Sequence, residues 1–284
     1  MKMLKVASLC WFLLLGTLAW GQDMKVGLQL YSLRSIMKED VEKGLKTAAE
    51  MGFQYVEGAN SYGLSMEAYK ALLDQYGLET PVAGGSFNDL TTDEGIAQLV
   101  SKAKILGAKY VNVAWIPHKA PFDEADARNA IAVFNTAGEK LAKEGITLLY
   151  HNHGYEFHPY GDGTLMDLIV QETNPQYVQF EMDILWTIFP GVDPVALLKK
   201  YPDRWKAMHL KDLKKGVTGN LSGGTSVEND VTLGTGQADY PSILKTAQEV
   251  GVLYYFIEDE SPRFLEQIPQ SLKYLEKVEL IIDN

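Results

Sequence analysis

One join recurs five times along this 284-residue chain: an apolar helical face, a glycine, then a short β-branched or aromatic run. It occurs at Met51-Gly52, Tyr76-Gly77, Leu106-Gly107, Glu144-Gly145 and Val250-Gly251. Glycine takes the left-handed conformation that closes a helix C-terminus without the clash a Cβ brings. A strand starting one or two residues later makes each join the hinge of an α/β unit. A chain built from such units folds as a mostly parallel sheet covered by helices.

Runs of strand length lie at 25–31, 54–57, 79–83, 110–115, 146–150, 177–182, 205–210 and 253–258. Between them, apolar residues recur at helical spacing, as in Val41, Leu45, Ala48 and Ala49, or Ile96, Leu99, Val100, Ala103 and Leu106. Ser65, Thr92 or Asp93, and Asp193-Pro194 are suited to helix starts. Eight strands alternating with helices predict an α/β fold, a single-domain (β/α)8 TIM barrel. An open doubly wound sheet is the competing reading, but the first strand runs into QLYSLR (29–34) rather than a glycine-rich dinucleotide loop. The stretch 214–237, rich in Gly, Ser and Thr, reads as a lid, a binding loop or a disordered segment.

Residues 1–21 have the make-up of an export signal. Lys2 and Lys5 precede an apolar run, 6–20, and Ala19 and Gly21 are small residues where a signal peptidase reads. Cleavage before Gln22 would leave 22–284 as the barrel, in an exported, periplasmic protein with no stable membrane span. A spanning helix needs about 20 apolar residues. The single cysteine, Cys10, lies in the leader, so the barrel is expected to stand without disulfides. The formal net charge of −11 argues against nucleic acid as a partner and, more mildly, against heavily phosphorylated substrates.

In a (β/α)8 barrel the active site sits at the C-terminal ends of the strands. Those ends carry polar residues that a buried strand does not need. The fifth run leads into His151, His153 and Glu156, and the sixth holds Glu181 and Asp183. The seventh gives His209, Lys211 and Asp212, the eighth Glu258, Asp259 and Glu260, and the second Glu57 and Asn60. Each acid alone reads as a helix cap or a surface charge. Four successive strands converging with carboxylates and imidazoles predict one divalent metal ion. Mn²⁺ is the preferred match, with Mg²⁺, Co²⁺ or Zn²⁺ as alternatives. Trp115 and Trp186, near strand ends, default to core packing but suit an apolar wall for a sugar ring.

The chain resembles the xylose isomerase-like barrel superfamily, in its sugar phosphate isomerase/epimerase group. The resemblance rests on GLQLYSLR (27–34), YHNHGYEF (150–157), EMDILW (181–186), HLKD (209–212), GTGQADYPSIL (234–244) and IEDE (257–260). It implies a metal held by a Glu, an Asp, a His and a Glu of the last four strands, here Glu156, Asp183, His209 and Glu258. Many relatives place a Glu where this chain has His151, so His151 takes that place or Glu156 reaches back. The implied chemistry is proton abstraction next to a carbonyl, through an enediolate. His153, His151 or Glu156 would act as base on one face and Glu258 on the other, with Lys211 stabilising the oxyanion or protonating a leaving group. The expected function is a sugar isomerase or epimerase acting on a non-phosphorylated carbohydrate. The alternative is a lyase or dehydratase of a keto-sugar, keto-inositol or 3-keto-glycoside. A homo-oligomer is compatible with the group.

Overall fold

The computed structural model describes residues 24–58 and 60–282. The expected leader, 1–21, lies outside the described residues. Eight strands form one closed barrel: β1 (Lys25–Gln29), β2 (Tyr55–Glu57), β3 (Glu79–Gly85), β4 (Tyr110–Val113), β5 (Thr147–His151), β6 (Val178–Asp183), β7 (Trp205–Leu210) and β8 (Tyr254–Ile257). Each strand pairs in parallel with its neighbour in sequence, and β1 closes the ring against β8. The strands follow the eight predicted runs to within two residues at either end, and β3, β5 and β6 run past them. Two overruns matter. His151 ends β5 and Asp183 ends β6, so the sheet itself fixes both side chains.

Among the described residues ten helices connect and cover the strands: α1 (Arg34–Glu39), α2 (Val41–Glu50), α3 (Met66–Gln75), α4 (Asp93–Leu106), α5 (Glu124–Lys143), α6 (Leu165–Glu172), α7 (Ile184–Ile188), α8 (Pro194–Lys200), α9 (Tyr240–Glu249) and α10 (Phe264–Ile282). The five join glycines all have positive φ, from 66° at Gly77 to 95° at Gly52. At the other ends, Ser65 accepts from the Ala68 N–H, Thr92 from Gly95, and Asp193 from Val195. These caps satisfy donors that have no partner inside the helix.

Side chains alternate across each strand. Outward residues such as Leu28, Val56, Val111, Tyr150 and Phe180 join the main core beneath the helices. Inward, Val82, Leu149, Ala207 and Phe256 plug the barrel, with Tyr55, Tyr110 and Tyr254 packed against them from the strand N-termini. A Cβ at Gly27 would lie 2.7 Å from the Phe256 ring, so glycine leaves room for that ring in the plug.

The 214–237 stretch is folded. Asp212–Leu213 pairs antiparallel with Asp230–Val231, and a 3-10 turn spans Val227–Asn229. The Asp212 carboxylate accepts the N–H groups of Gly234, Gly236 and Ala238 at 3.0, 2.9 and 3.1 Å. A Cβ at Gly236 would sit 2.2 Å from that carboxylate, so glycine is what lets the backbone approach. Among the described residues no helix is long and apolar enough to cross a membrane.

Candidate metal centre and active site

One step up from the plug, the same inward faces turn polar. Two residues beyond Leu149 comes His151, two beyond Ala207 comes His209, and two beyond Phe256 comes Glu258. β1 contributes Gln29, β2 Glu57, β4 Asn112, and β6 both Glu181 and Asp183. All of these side chains are buried, as is Lys211 just past β7.

His209 is the hub. Its Nδ1 lies 3.1 Å from Glu258 Oε2 and 3.9 Å from Asp183 Oδ2. Its Nε2 lies 3.0 Å from Glu57 Oε2 and 3.3 Å from Glu181 Oε2. His151 Nε2 is 3.4 Å from Asp183 Oδ2. The donor atoms of His151, Asp183 and His209 lie within 4.8 Å of one another, as do those of Glu57, Glu181 and His209.

Both ring nitrogens of His151, and Asp183 Oδ2, are buried without a hydrogen-bond partner. Each such atom costs roughly 1–3 kcal/mol if nothing engages it. Nitrogen and oxygen donors at these separations fit a divalent cation, which sits about 2.0–2.2 Å from each ligand. Asp183 is divided for that role. Its Oδ1 accepts the Trp186 N–H at 2.8 Å and caps α7, which leaves Oδ2 to the cluster. The donor group of His151, Asp183 and His209 therefore supports a divalent metal, with Glu258 beside it at His209 Nδ1.

The Glu57 side has a different part. Glu57 Oε1 accepts from Asn112 Nδ2 at 2.8 Å, and Asn112 also donates to Glu181. A metal-bound imidazole usually donates its other N–H to a carboxylate, which fixes its tautomer and orientation. Glu57 stands in that position for His209 Nε2. The two donor groups that share His209 reach it from different sides, Asp183 at Nδ1 and Glu57 and Glu181 at Nε2.

The electrostatics agree with a site built around a cation. Burial pushes Glu181 well above the ordinary carboxylate range, and the Glu57 charge adds to it. Burial likewise raises Asp183 to about 6. On Glu57 burial acts upward, but the charge and hydrogen bond of His209 outweigh it and hold the group low. Burial acts to lower His209, yet Glu181, Glu57 and Glu258 keep its imidazolium far above the usual value. Glu258 is held low against burial by Lys211 and His209. A cation bound among these residues would take over the role these protons play.

Two imidazoles remain neutral. Burial, aided by His209, pushes His151 well below its ordinary value, and burial takes His153 down to about 3. The His153 ring stacks between His151 at 4.7 Å and Trp186 at 5.6 Å, and its Nδ1 has no partner. Lys211 lies 3.6 Å from Glu258 and 3.8 Å from Asp230, and it also pairs with Glu260. Burial acts to lower Lys211, but these acids hold its ammonium charged. The cavity over the cluster has a volume of about 570 Å³ and is walled by Trp115, Trp186 and the Gly223–Thr225 backbone.

Of the ligands implied by the resemblance, Asp183, His209 and Glu258 come together here, with His151 beside them. Glu156 stands apart. Gly154, at φ 93°, turns the chain into a 3-10 turn, Tyr155–Phe157, that swings Glu156 to the outer face of β5. There its carboxylate accepts from the Tyr150 hydroxyl and from the His153 N–H at 2.9 Å. Tyr150 itself packs outward on Phe134 of α5 at 5.0 Å. Burial raises Glu156 to about 7. In the sequence Glu57 and Glu181 stand out as strand-end acids without an evident part, and Gln29 and Asn112 do not stand out at all. A lone Asn inside the apolar β4 run YVNV was the available signal.

The profile of the xylose isomerase-like TIM barrel family matches residues 45–278. The chain belongs to that family. An inosose dehydratase of Geobacillus kaustophilus is 27% identical over 199 residues, which is 61% of this chain and 62% of that protein. The chain thus spans less than two thirds of that relative's length. A solved sugar phosphate isomerase/epimerase from Parabacteroides distasonis is 27% identical, with a TM-score of 0.73 over 92% of this chain and 95% of that one. A zinc-bound IolI protein, 15% identical, shares the fold at a TM-score of 0.68 over 92% and 98% of the two chains. The family is one of enzymes, with a dehydratase and an isomerase/epimerase among the relatives of this chain.

Proposed function

We propose that this chain is a divalent-metal-dependent lyase acting on an unphosphorylated keto-sugar or keto-polyol. It removes the proton beside the carbonyl and expels the oxygen substituent on the next carbon. The observation that carries this choice over simple epimerisation is the end of β5. A proton swap between two opposed carboxylates needs a Glu there, and the position holds His151 while Glu156 lies on the outer face. The relatives named as inosose dehydratases support the same choice.

A divalent ion bound at His151, Asp183, His209 and Glu258 would polarise the carbonyl and stabilise the negative charge that develops on its oxygen. His153 is the base: its ring lines the cavity and burial keeps it neutral. It takes the proton from the carbon beside the carbonyl. The returning electron pair forms the carbon–carbon double bond and breaks the bond to the departing oxygen. Lys211, kept charged by Glu258, Asp230 and Glu260, supplies the proton to that oxygen. Glu57, through His209, keeps the ligand side in register.

Lys211 is the one lysine or arginine lining the cavity among the described residues, and it is already paired with acids. A phosphate would find no free cation, which favours an unphosphorylated substrate. The leader-like residues 1–21 support placing the enzyme outside the cytoplasm. A second reading, isomerase or epimerase, draws on Glu258, whose Oε1 is outside the hydrogen bonds described and which shares the cavity with His153.

The test is proton exchange in D2O. Protein reconstituted with Mn²⁺ is incubated with free sugars, keto-inositols and 3-keto-glycosides and followed by NMR. Deuterium beside the carbonyl together with a released fragment is the expected result. Exchange without release selects the isomerase reading. No exchange with any member overturns both.

A further inference from the structure

The apolar surface of this molecule is unevenly placed. Among the described residues, the large apolar or aromatic side chains most open to solvent are Tyr31, Leu64, Trp115, Val227 and Leu265, and Tyr31, Trp115 and Val227 all line the one cavity above the metal donors. Tyr31 is 52% exposed, Trp115 44% and Val227 41%. They come from three separate segments, following β1, β4 and β7.

Both rings are held rigid from behind. Arg34 lies over the Tyr31 ring at 4.5 Å and is itself fixed by bonds to the Tyr31 and Glu260 carbonyls at 3.0 and 3.1 Å. Trp115 stacks on His118 at 5.2 Å and meets the Tyr155 ring edge-on at 4.8 Å. His118 is anchored in turn by Ile116 O at 2.8 Å. Each ring therefore has one face or edge packed and much of its surface facing solvent at the cavity mouth. Pre-ordered aromatic rings bind a flat or ring-shaped group at little entropic cost.

The deep part of the cavity is already assigned. The donor cluster, His153 and Lys211 surround the reacting carbons, and Trp186, 7% exposed, forms the wall there. Trp115 stands outside His153, meeting its ring at 5.4 Å. A volume of about 570 Å³ lies inside the range of pockets that enclose drug-sized ligands.

We propose that the mouth is a second subsite, and that the substrate is a glycoside: a keto-pyranose ring at the donors carrying a neutral, ring-shaped aglycone held by Tyr31, Trp115 and Val227. This rests on the reading that a keto-sugar reacts at the metal donors. A neutral aglycone follows from the acidic chain and the absence of an unpaired cation among the cavity-lining residues described. The aglycone is either a second pyranose, through its C–H face, or an aryl group. Both present the same chemistry to an aromatic platform.

The test reads binding, so it does not depend on turnover. Methyl β-glucoside, cellobiose and phenyl β-glucoside are titrated into the Mn²⁺-loaded full chain by calorimetry. One or both ring-bearing glycosides should bind roughly tenfold more tightly than the methyl glycoside, the effect of about one ring pair. Preference for cellobiose assigns a sugar aglycone, and preference for the phenyl compound an aryl one. Trp115→Ala and Tyr31→Ala should each pull the ratio towards one, while Leu265→Ala, which does not line the cavity, keeps it. Equal affinity for all three compounds, no binding by either ring-bearing compound, or a ratio that survives both rim substitutions would overturn the subsite. Failure of the exchange experiment with this preference intact would instead overturn the chemistry and leave the subsite standing.

Discussion

His151 and Glu156 lie close in sequence, yet only one reaches the donor cluster. His151 is the last residue of β5 and takes its direction from the sheet. Glu156 follows a glycine in the left-handed region and is drawn to Tyr150 on the opposite face. The two make opposite predictions for metal content. His151→Ala should lose at least about tenfold in Mn²⁺ affinity, the scale of damage to a metal site. Glu156→Gln should still bind one equivalent, because its carboxylate touches none of the donors. Elemental analysis after dialysis against a fixed free-metal concentration distinguishes them. Residue spacing alone could not settle this point. The sequence shows which polar residues gather at a strand end, but the direction of a side chain beyond the strand depends on one backbone turn. The candidate ligands legible in the sequence, Asp183, His209 and Glu258, lie on a strand or directly after it. Glu57 and Asn112 are harder to read because their importance comes from the closing of the barrel, which brings Glu57 of β2 onto β7's histidine and Asn112 of β4 onto Glu57 and Glu181.

Among the elements, the outer helices are joined by polar contacts as well as by their apolar faces. Asp167 shows how. It completes a capping box with Thr164 at the start of α6, with the Thr164 N–H at 2.8 Å. It also accepts from Lys200 at 2.7 Å and Tyr201 at 2.8 Å, tying α6 to α8 and the residue that follows it. Burial acts to raise its carboxyl, but these partners outweigh burial and hold it below the ordinary value of 3.8. A depressed folded-state value means the stabilisation is present above the unfolded value and is lost as pH falls through the folded one. Wild type should therefore exceed Asp167→Asn in urea stability by roughly 1 kcal/mol near neutral pH, a size limited by solvent screening on the Lys200 side. The gap should narrow as the pH drops below 3.8 and should stay constant between pH 5 and 7. Equal midpoints at neutral pH would remove Asp167 from the account. The helices themselves were readable from periodicity and from the glycine joins. The packing of 214–237 was not, because what folds it is Asp212 gathering three amide groups from more than twenty residues away.

Taken as a whole, the molecule places an apolar plug at one end of the barrel and a buried cluster of acids at the other. Four buried carboxylates, Glu57, Glu181, Asp183 and Glu258, face His209, His151 and Lys211 in that cluster. Binding of a cation to the folded state alone adds stability, about 2.7 kcal/mol when the free ion is a hundredfold above its dissociation constant. For a domain of this size that corresponds to roughly 5 °C or more in Tm. Stripping the protein with EDTA should lower Tm by about that amount, and Mn²⁺ should restore it. A Tm that ignores both treatments would count against a metal bound in the folded state. The plug has a kinetic consequence of its own. Among the described residues, Val82, Leu149, Ala207 and Phe256, backed by three tyrosines, close the floor of the cavity, so the proposed cleavage would take place behind one mouth. A molecule cut in two inside it must empty in sequence, with the piece nearer the threshold leaving first. The piece left behind then holds the seat the next molecule needs, so it should compete with substrate, while the first to depart should inhibit without competing.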